Sequence, residues 1–320
     1  ESLVKKRFSS ESKRIFNGIG DDAAVCRIID NRIVVSCDSH VENVHFNRKN
    51  FTPEEISSRS LAIAISDIVA MGAVPRFFLN SLLLPRGTTK KFIDKLFDGF
   101  EKTSKKFKIS LVGGNVSKSN SLIIDVVVIG ELKHHKYKER GKCTNGDFLY
   151  VSGNIGDASL GLKILNKRKK RIQTIEQRRL VEKYKHPNPK IKLGKFLGQL
   201  NYVSSMIDIT DGLLIDLHRL IGSRRKRLGA RIVWEDIPKS KEHMTIQNAR
   251  GAEENVLRGG DDYELMFTIK RNSYLKFESL VRTKKFKIFK IGEITKDKKI
   301  ILEIGGKDKI LKPGGFTHRF

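Results

Sequence analysis

At five places in this chain, carboxylates stand at the end of an apolar run or inside a glycine turn, with no basic residue next to the acids. These are Gly18-Ile19-Gly20-Asp21-Asp22-Ala23-Ala24, Ser36-Cys37-Asp38, Ile65-Ser66-Asp67-Ile68, Met206-Ile207-Asp208-Ile209-Thr210-Asp211-Gly212 and Gly259-Gly260-Asp261-Asp262-Tyr263. A single acid in such a place is most simply a turn residue or a helix N-cap. Five together are costly to bury unless a partner arrives from outside the chain. A hard divalent cation is the simplest partner, and several carboxylates converging on Mg²⁺ point to phosphate chemistry.

Apolar periodicity between these acids alternates strand with helix. Arg32–Asp38 reads as a strand, and Thr52 caps a helix that opens at Pro53 with Glu54-Glu55 in its first turn and runs to Gly72. Phe77–Leu84 is expected as a buried strand, Thr89–Phe107 as an amphipathic helix, and Ile109–Val112 and Leu122–Glu131 as strands. A basic connector containing Arg140 follows. Beyond it come strand Phe148–Ser152, a glycine turn into helix Asp157–Leu165, and helices over Ile175–Tyr184 and Lys190–Leu200. Strand Ser205–Ile209 leads to a helix from Leu213. Strands Arg231–Trp234 and Tyr263–Ile269, helix Ser273–Val281 and strands near Ile288–Ile294 and Ile300–Ile304 complete the pattern. The expected fold class is α/β (α+β) in two domains, residues 1–135 and 136–320.

Charge invites a different reading. Lys and Arg number 63 against 36 Asp and Glu, a net charge of +27, as in many nucleic-acid binders. The basic residues are spread along the chain, and the dense runs Lys167–Arg171 and Arg224–Arg227 lack the interleaved aromatics of a base-stacking surface. No nucleic-acid partner is therefore expected. Cys26, Cys37 and Cys143 form no Cys-x-x-Cys pattern, which excludes a disulfide framework or a zinc site and fits a reducing cytoplasm. His134-His135 reads as part of a solvated Lys-rich segment. No apolar run approaches a membrane span, and the first seven residues hold no signal-like apolar core. Two phosphate-binding fingerprints fail in context. Gly18–Ala23 follows a polar stretch rather than an apolar strand, and Gly156-x₄-Gly161 continues into Leu162-Lys163 rather than Lys-Ser/Thr.

Taken in order, Gly18–Val25, Ser36–Asp38 with His45-Phe46, Ser66-Asp67 with Ala70–Ala73, Gly113-Gly114-Asn115, Ile207–Leu213, Gly259–Leu265 and Gly315–His318 resemble the thiamine-monophosphate kinases. That family is related to aminoimidazole-ribonucleotide synthetase and selenophosphate synthetase. The resemblance spans nearly the whole chain. It implies an N-terminal ATP- and Mg²⁺-binding domain whose sheet forms a homodimer, a C-terminal α/β domain, and ATP bound at the dimer interface. The implied reaction is phosphorylation of thiamine monophosphate to thiamine diphosphate by direct in-line transfer from ATP, assisted by several Mg²⁺ ions. A sister enzyme acting on another substrate is the alternative.

By the same resemblance, Asp22, Ser36, Cys37, Asp38, Asp67, Asn115, Asp208 and Asp211 fall on metal positions, with Asp38, Asp67 and Asp211 central to catalysis. Arg140, Thr210 and Gly114 fall on ATP positions, and His45, Asp261 and Phe316 on the thiamine phosphate site. The chain departs from the family pattern at Cys37, usually Thr, at Thr210, usually Ser, at Asp261, commonly Glu, and at Asn115, where Gly-Gly-Asp is the rule. An amide oxygen can still ligate Mg²⁺, with one negative charge fewer.

Overall fold

Helix α1, Pro53–Ala70, begins where the sequence places it. Thr52 accepts from Glu55 N at 3.2 Å while the Glu55 carboxylate accepts from Thr52 N at 2.8 Å, a capping box with Pro53 at the first helical position. In the computed structural model the chain divides into two compact units, residues 1–136 and 137–320. The structure describes residues 14–17, 25–28, 32–132, 137–167, 174–222, 228–247 and 249–316. Outside these lie the Gly18–Ala24 stretch with Asp22, His134-His135, Thr317-His318 and most of both dense basic runs.

In the first unit, β1 (Ile15–Asn17) and β2 (Val25–Cys26) pair antiparallel. The main sheet is built from β3 (Ile33–Val41), β4 (Val74–Pro85), β5 (Ser110–Ser119) and β6 (Ile123–Glu131), in the order β3-β6-β4-β5. Only β4 and β5 run parallel, joined by α2 (Lys90–Phe107). Phe78, Leu82, Ile124, Val126 and Val128 are buried on one sheet face, and α1 packs against β3, β4 and β6. Gly99 lets α2 approach α1 closely, since a Cβ there would meet the Glu54 carbonyl. The opposite sheet face is open. Ile33 is 47 % and Val35 55 % exposed, and Leu79, Leu83, Ile123, Val127 and Ile129 on the same face are only partly buried.

The expected strand Ile109–Val112 is too short. The expected strand stops before the glycine pair 113–114, yet the pair stays in the ladder, and β5 continues beside β4 to Ser119.

Among the described residues the second unit holds seven strands: β7 (Phe148–Val151), β8 (Val203–Ile209), β9 (Gly229–Val233), β10 (Glu264–Ile269), β11 (Phe289–Thr295), β12 (Ile300–Ile304) and β13 (Lys307–Leu311). Their order is β13-β12-β9-β11-β7-β10-β8, antiparallel except for β12 with β9. Around them lie α3 (Asp157–Asn166), α4 (Ile175–Lys185), α5 (Ile191–Gln199), α6 (Leu213–Ile221), α7 (Lys241–Ile246), α8 (Ala249–Arg258) and α9 (Tyr274–Lys284). Leu149, Val151, Ile207, Ile209 and Met266 join Leu213, Leu214 and Leu217 of α6 and Ala252 and Val256 of α8 in one core. Tyr150 and Phe267 face the other way and stack at 5.6 Å, with Phe277 of α9 edge-on at 5.3 Å from Tyr150.

Neither α7 and α8 nor β13 is expected from the sequence. Helix α7 is six residues long with only His243 buried, and α8, which buries Ala252, Asn255, Val256 and Leu257, is largely polar at its other positions. Strand β13 reads Lys-Asp-Lys-Ile-Leu, a surface composition, but Gly305 and Gly306 at φ +54° and +76° turn it back as a hairpin.

Candidate active site

Within the first unit, strand and helix bring three of the candidate ligands together. Ser36 and Asp38 alternate onto the helix-covered side of β3, and Asp67, in the last turns of α1, accepts a hydrogen bond from Ser36 Oγ. Asp38 Oδ2 is buried without a hydrogen-bond partner among the described residues. Burial, and then the charge of Asp67, push the Asp38 carboxyl from its ordinary 3.8 up to about 7. Two carboxylates and a hydroxyl at close quarters, with one buried oxygen unsatisfied, are the donor set of an oxygen-ligated divalent cation. No three His, Cys, Asp or Glu side chains converge among the described residues. The described set alone is therefore short of a full shell of protein ligands.

The remaining first-unit candidates do not join this cluster. Cys37 alternates to the open sheet face and is exposed, its thiol held above the usual range by burial, Asp125 and Asp38. Asn115 is exposed on β5, paired with Ser81. By register it lies on the face opposite Asp38 and three strand spacings away, about 14 Å at ~4.8 Å per strand. Gly114 shares the Asp38 face, where a Cβ would run into the Asn80 carbonyl, so the backbone there is accessible only to glycine. His45 sits in the turn after β3, its Nδ1 accepting from Val41 N at 3.0 Å.

Candidates in the second unit converge through the backbone. The segment after β8, Thr210-Asp211-Gly212, receives Asp261 N on the Thr210 carbonyl at 2.7 Å and Phe316 N on the Asp211 carbonyl at 2.9 Å. Tyr263 N donates to the Ile209 carbonyl at 2.9 Å. Thr210, Asp211, Asp261 and Phe316 are therefore neighbours, beside Asp208, which is buried on β8 opposite Leu265. Glycine makes this approach possible: a Cβ on Gly260 would strike the Thr210 carbonyl, and one on Gly315 the Asp211 carbonyl. Asp261 and Tyr263 occupy left-handed φ values of +70° and +50°, and Tyr263 Oη donates to Asp261 Oδ1 at 3.0 Å. Strain of ~1–3 kcal/mol per such residue is characteristic of segments shaped for binding. Arg140 is exposed in the segment before β7.

Three residues that organise these loops are not among the candidate site residues, although Asp262 stands in one of the five acidic stretches. Asp216 is fully buried, and its Oδ2 accepts from Thr210 N, Asp211 N and Gly212 N at 2.9, 2.9 and 3.2 Å. Burial raises its carboxyl, while these bonds and Arg219 oppose the rise. Arg219 Nη1 bridges Asp216 Oδ1 at 2.7 Å and Asp211 Oδ2 at 2.5 Å. Asp262 Oδ2 and Oδ1 accept from Gly156 N at 2.7 Å and Ala158 N at 3.2 Å. It fills the start of α3, the place a phosphate loop would have used. Burial above all, with Asp157 and Glu264, drives its carboxyl well above the ordinary range. A visible signal existed for Asp216, an acid in the first turn of a helix.

Comparison with known proteins places the chain in a family. Residues 20–132 match AIR synthase related protein, N-terminal domain, and residues 144–305 match its C-terminal domain. The thiamine-monophosphate kinase of Buchnera aphidicola subsp. Schizaphis graminum is 33 % identical over 325 residues, covering 99 % of this chain and 97 % of the relative. The chain belongs to the thiamine-monophosphate kinase family. Among solved structures, thiamine-monophosphate kinase from Stenotrophomonas maltophilia superposes with a TM-score of 0.84 at 27 % identity, covering 96 % of each chain. AaThiL complexed with AMPPCP and TMP superposes with a TM-score of 0.79 at 27 % identity, covering 99 % of this chain and 95 % of that one. As a member of this kinase family, the chain has the two mixed α/β domains of its relatives. No described helix is long and apolar enough to cross a membrane.

Proposed function

We propose that this kinase transfers the γ-phosphoryl group of ATP to the phosphate of thiamine monophosphate, giving thiamine diphosphate and ADP. The observation that carries the reading is the full-length likeness to a relative solved with AMPPCP and TMP together, in a chain that gathers carboxylates in both units. The bond from the γ-phosphorus to the bridging oxygen of ADP breaks as an acceptor phosphate oxygen forms the new one. That oxygen is already ionised at neutral pH, so no general base is needed. What must be overcome is repulsion between two polyanions, together with their alignment.

The residues divide this work. Ser36, Asp38 and Asp67 in the first unit, and Asp208 and Asp211 in the second, would hold divalent cations, with Asp22 added by family resemblance. Bound there, Mg²⁺ would neutralise phosphate charge and orient the transferring group. Arg140 and the Thr210 hydroxyl are assigned to ATP phosphates, with Gly114 leaving room for close backbone approach. His45, Asp261 and Phe316 are assigned to thiamine monophosphate. Asn115 and Cys37 are the weakest of the proposed metal ligands, because both lie on the open sheet face. That apolar face, with Ile33 and Val35 exposed, supports pairing of two copies through the first unit.

Phosphorus NMR of the purified protein with ATP, Mg²⁺ and thiamine monophosphate tests the reaction. A new pair of diphosphate doublets accompanying ADP supports it. Persistence of both reactants, while another phosphate acceptor is consumed, would assign the chain to a sister activity.

A further inference from the structure

We propose that Asp216 is the positioning residue of the Thr210–Gly212 segment, a role that rests on the kinase reading given above. Three consecutive backbone N–H groups, those of Thr210, Asp211 and Gly212, converge on one oxygen of this side chain. Successive N–H groups pointing inward form an anion nest, and here the anion is supplied by the chain itself. The second oxygen receives Arg219, whose Nη1 also reaches Asp211 Oδ2. Asp216 thereby sets both the path of the backbone and the direction of the Asp211 carboxylate.

Asp216 is fully buried and cannot itself touch ATP or acceptor. Its influence passes through the segment it holds. The outer side of that segment is engaged by Asp261 N and Phe316 N on its carbonyls. Donors on the inner side and acceptors on the outer side are all occupied, leaving the side chains of Thr210 and Asp211 as the parts able to meet a ligand. Carboxylate chemistry is required for this, because both Asp216 oxygens face donors only. An amide of the same shape must turn its NH₂ either toward the three N–H groups or toward the guanidinium.

The test compares wild type with Asp216→Asn in three readouts: amide hydrogen exchange at residues 210–212, calorimetric binding of AMPPCP with Mg²⁺, and steady-state turnover. In the wild type the three amides should exchange as slowly as those inside α6; exchange at the rate of open loop amides would overturn the proposal whatever the variant does. In the variant, exchange at these amides should rise by about tenfold or more, and AMPPCP should bind about ten- to a hundredfold more weakly per folded molecule. A purely structural role would instead lower the amount of folded protein and leave the AMPPCP affinity of the folded fraction unchanged, which refutes positioning. Arg219→Gln provides a second variant: it keeps the three backbone bonds, so the amides should stay protected while AMPPCP binding weakens only a fewfold. Loss of protection there would shift the role from Asp216 to Arg219. If wild type binds AMPPCP but leaves thiamine monophosphate untouched, the reaction reading fails and the positioning role is still decided by exchange and binding.

Discussion

Replacing Asp38 by Asn should make the metal-free protein more stable at pH 8 and weaken its response to Mg²⁺. In the folded chain the Asp38 carboxyl titrates at about 7 instead of 3.8, raised by burial and by Asp67. A folded-state value above the unfolded one means that stability is fully present below about pH 4 and is lost as pH rises toward 7. The difference, about three pH units at ~1.36 kcal/mol each, sets a ceiling of roughly 4 kcal/mol. Partial exposure and local relaxation reduce this to ~1–3 kcal/mol, or about 3–10 °C in melting temperature for a domain of this size. The assay is thermal melting in EDTA at pH 5 and pH 8, with and without added Mg²⁺. Wild type should lose stability between the two pH values and regain it with Mg²⁺; Asp38→Asn should lose less between the two pH values, regain less with Mg²⁺, and be inactive. A variant that melts at or below wild type in EDTA at pH 8 would show that the two carboxylates are not held against each other, and the cation assignment would fall.

Three further outcomes are expected. Asn115→Asp, which adds a carboxylate on the sheet face opposite Asp38, should leave the Mg²⁺ concentration for half-maximal turnover unchanged, and a lowered requirement would return Asn115 to the metal shell. Val35→Lys, at a position 55 % exposed on that face, should convert a dimer to a monomer by sedimentation; a monomeric wild type, or a variant that stays dimeric, rejects the pairing surface. Tyr150→Phe removes the hydrogen bond from a nearly fully buried hydroxyl to Glu278 Oε1 at 2.7 Å. The variant should cost ~1–2 kcal/mol in chemical denaturation without changing turnover, and a comparable loss of activity would place the aromatic layer in the site's support.

Legibility in the sequence follows the range of the interactions. The helix opening at Pro53 is readable because its cap is written in four adjacent residues, and the strand after it because Phe77–Leu84 is a short, nearly unbroken apolar run. Asp38 and Asp67 are readable as oddities, since charge beside apolar residues is conspicuous without any knowledge of contacts. What eludes the sequence is set at a distance. Whether the glycine pair 113–114 turns or stays extended depends on β4 lying alongside. The second acid of the Asp261-Asp262 pair gives no hint that its carboxylate reaches Gly156, more than a hundred residues earlier. Strand alternation could have separated Cys37 from Asp38, but motif likeness groups residues by order along the chain and is indifferent to sheet faces.

Asp262 at the start of α3 also bears on how this chain can change. A helix N-terminus is a socket for anions, and here the plug is a side chain from a neighbouring loop. Such a plug can be withdrawn by one substitution: Asp262→Gly would leave two aligned N–H groups and a void the size of a carboxylate, ready for a small oxyanion. The same substitution would remove one anchor of the Gly259–Tyr263 loop and leave the backbone bonds of Asp261 N and Tyr263 N to hold it. New anion affinity would therefore be gained at the cost of the loop's tie to α3.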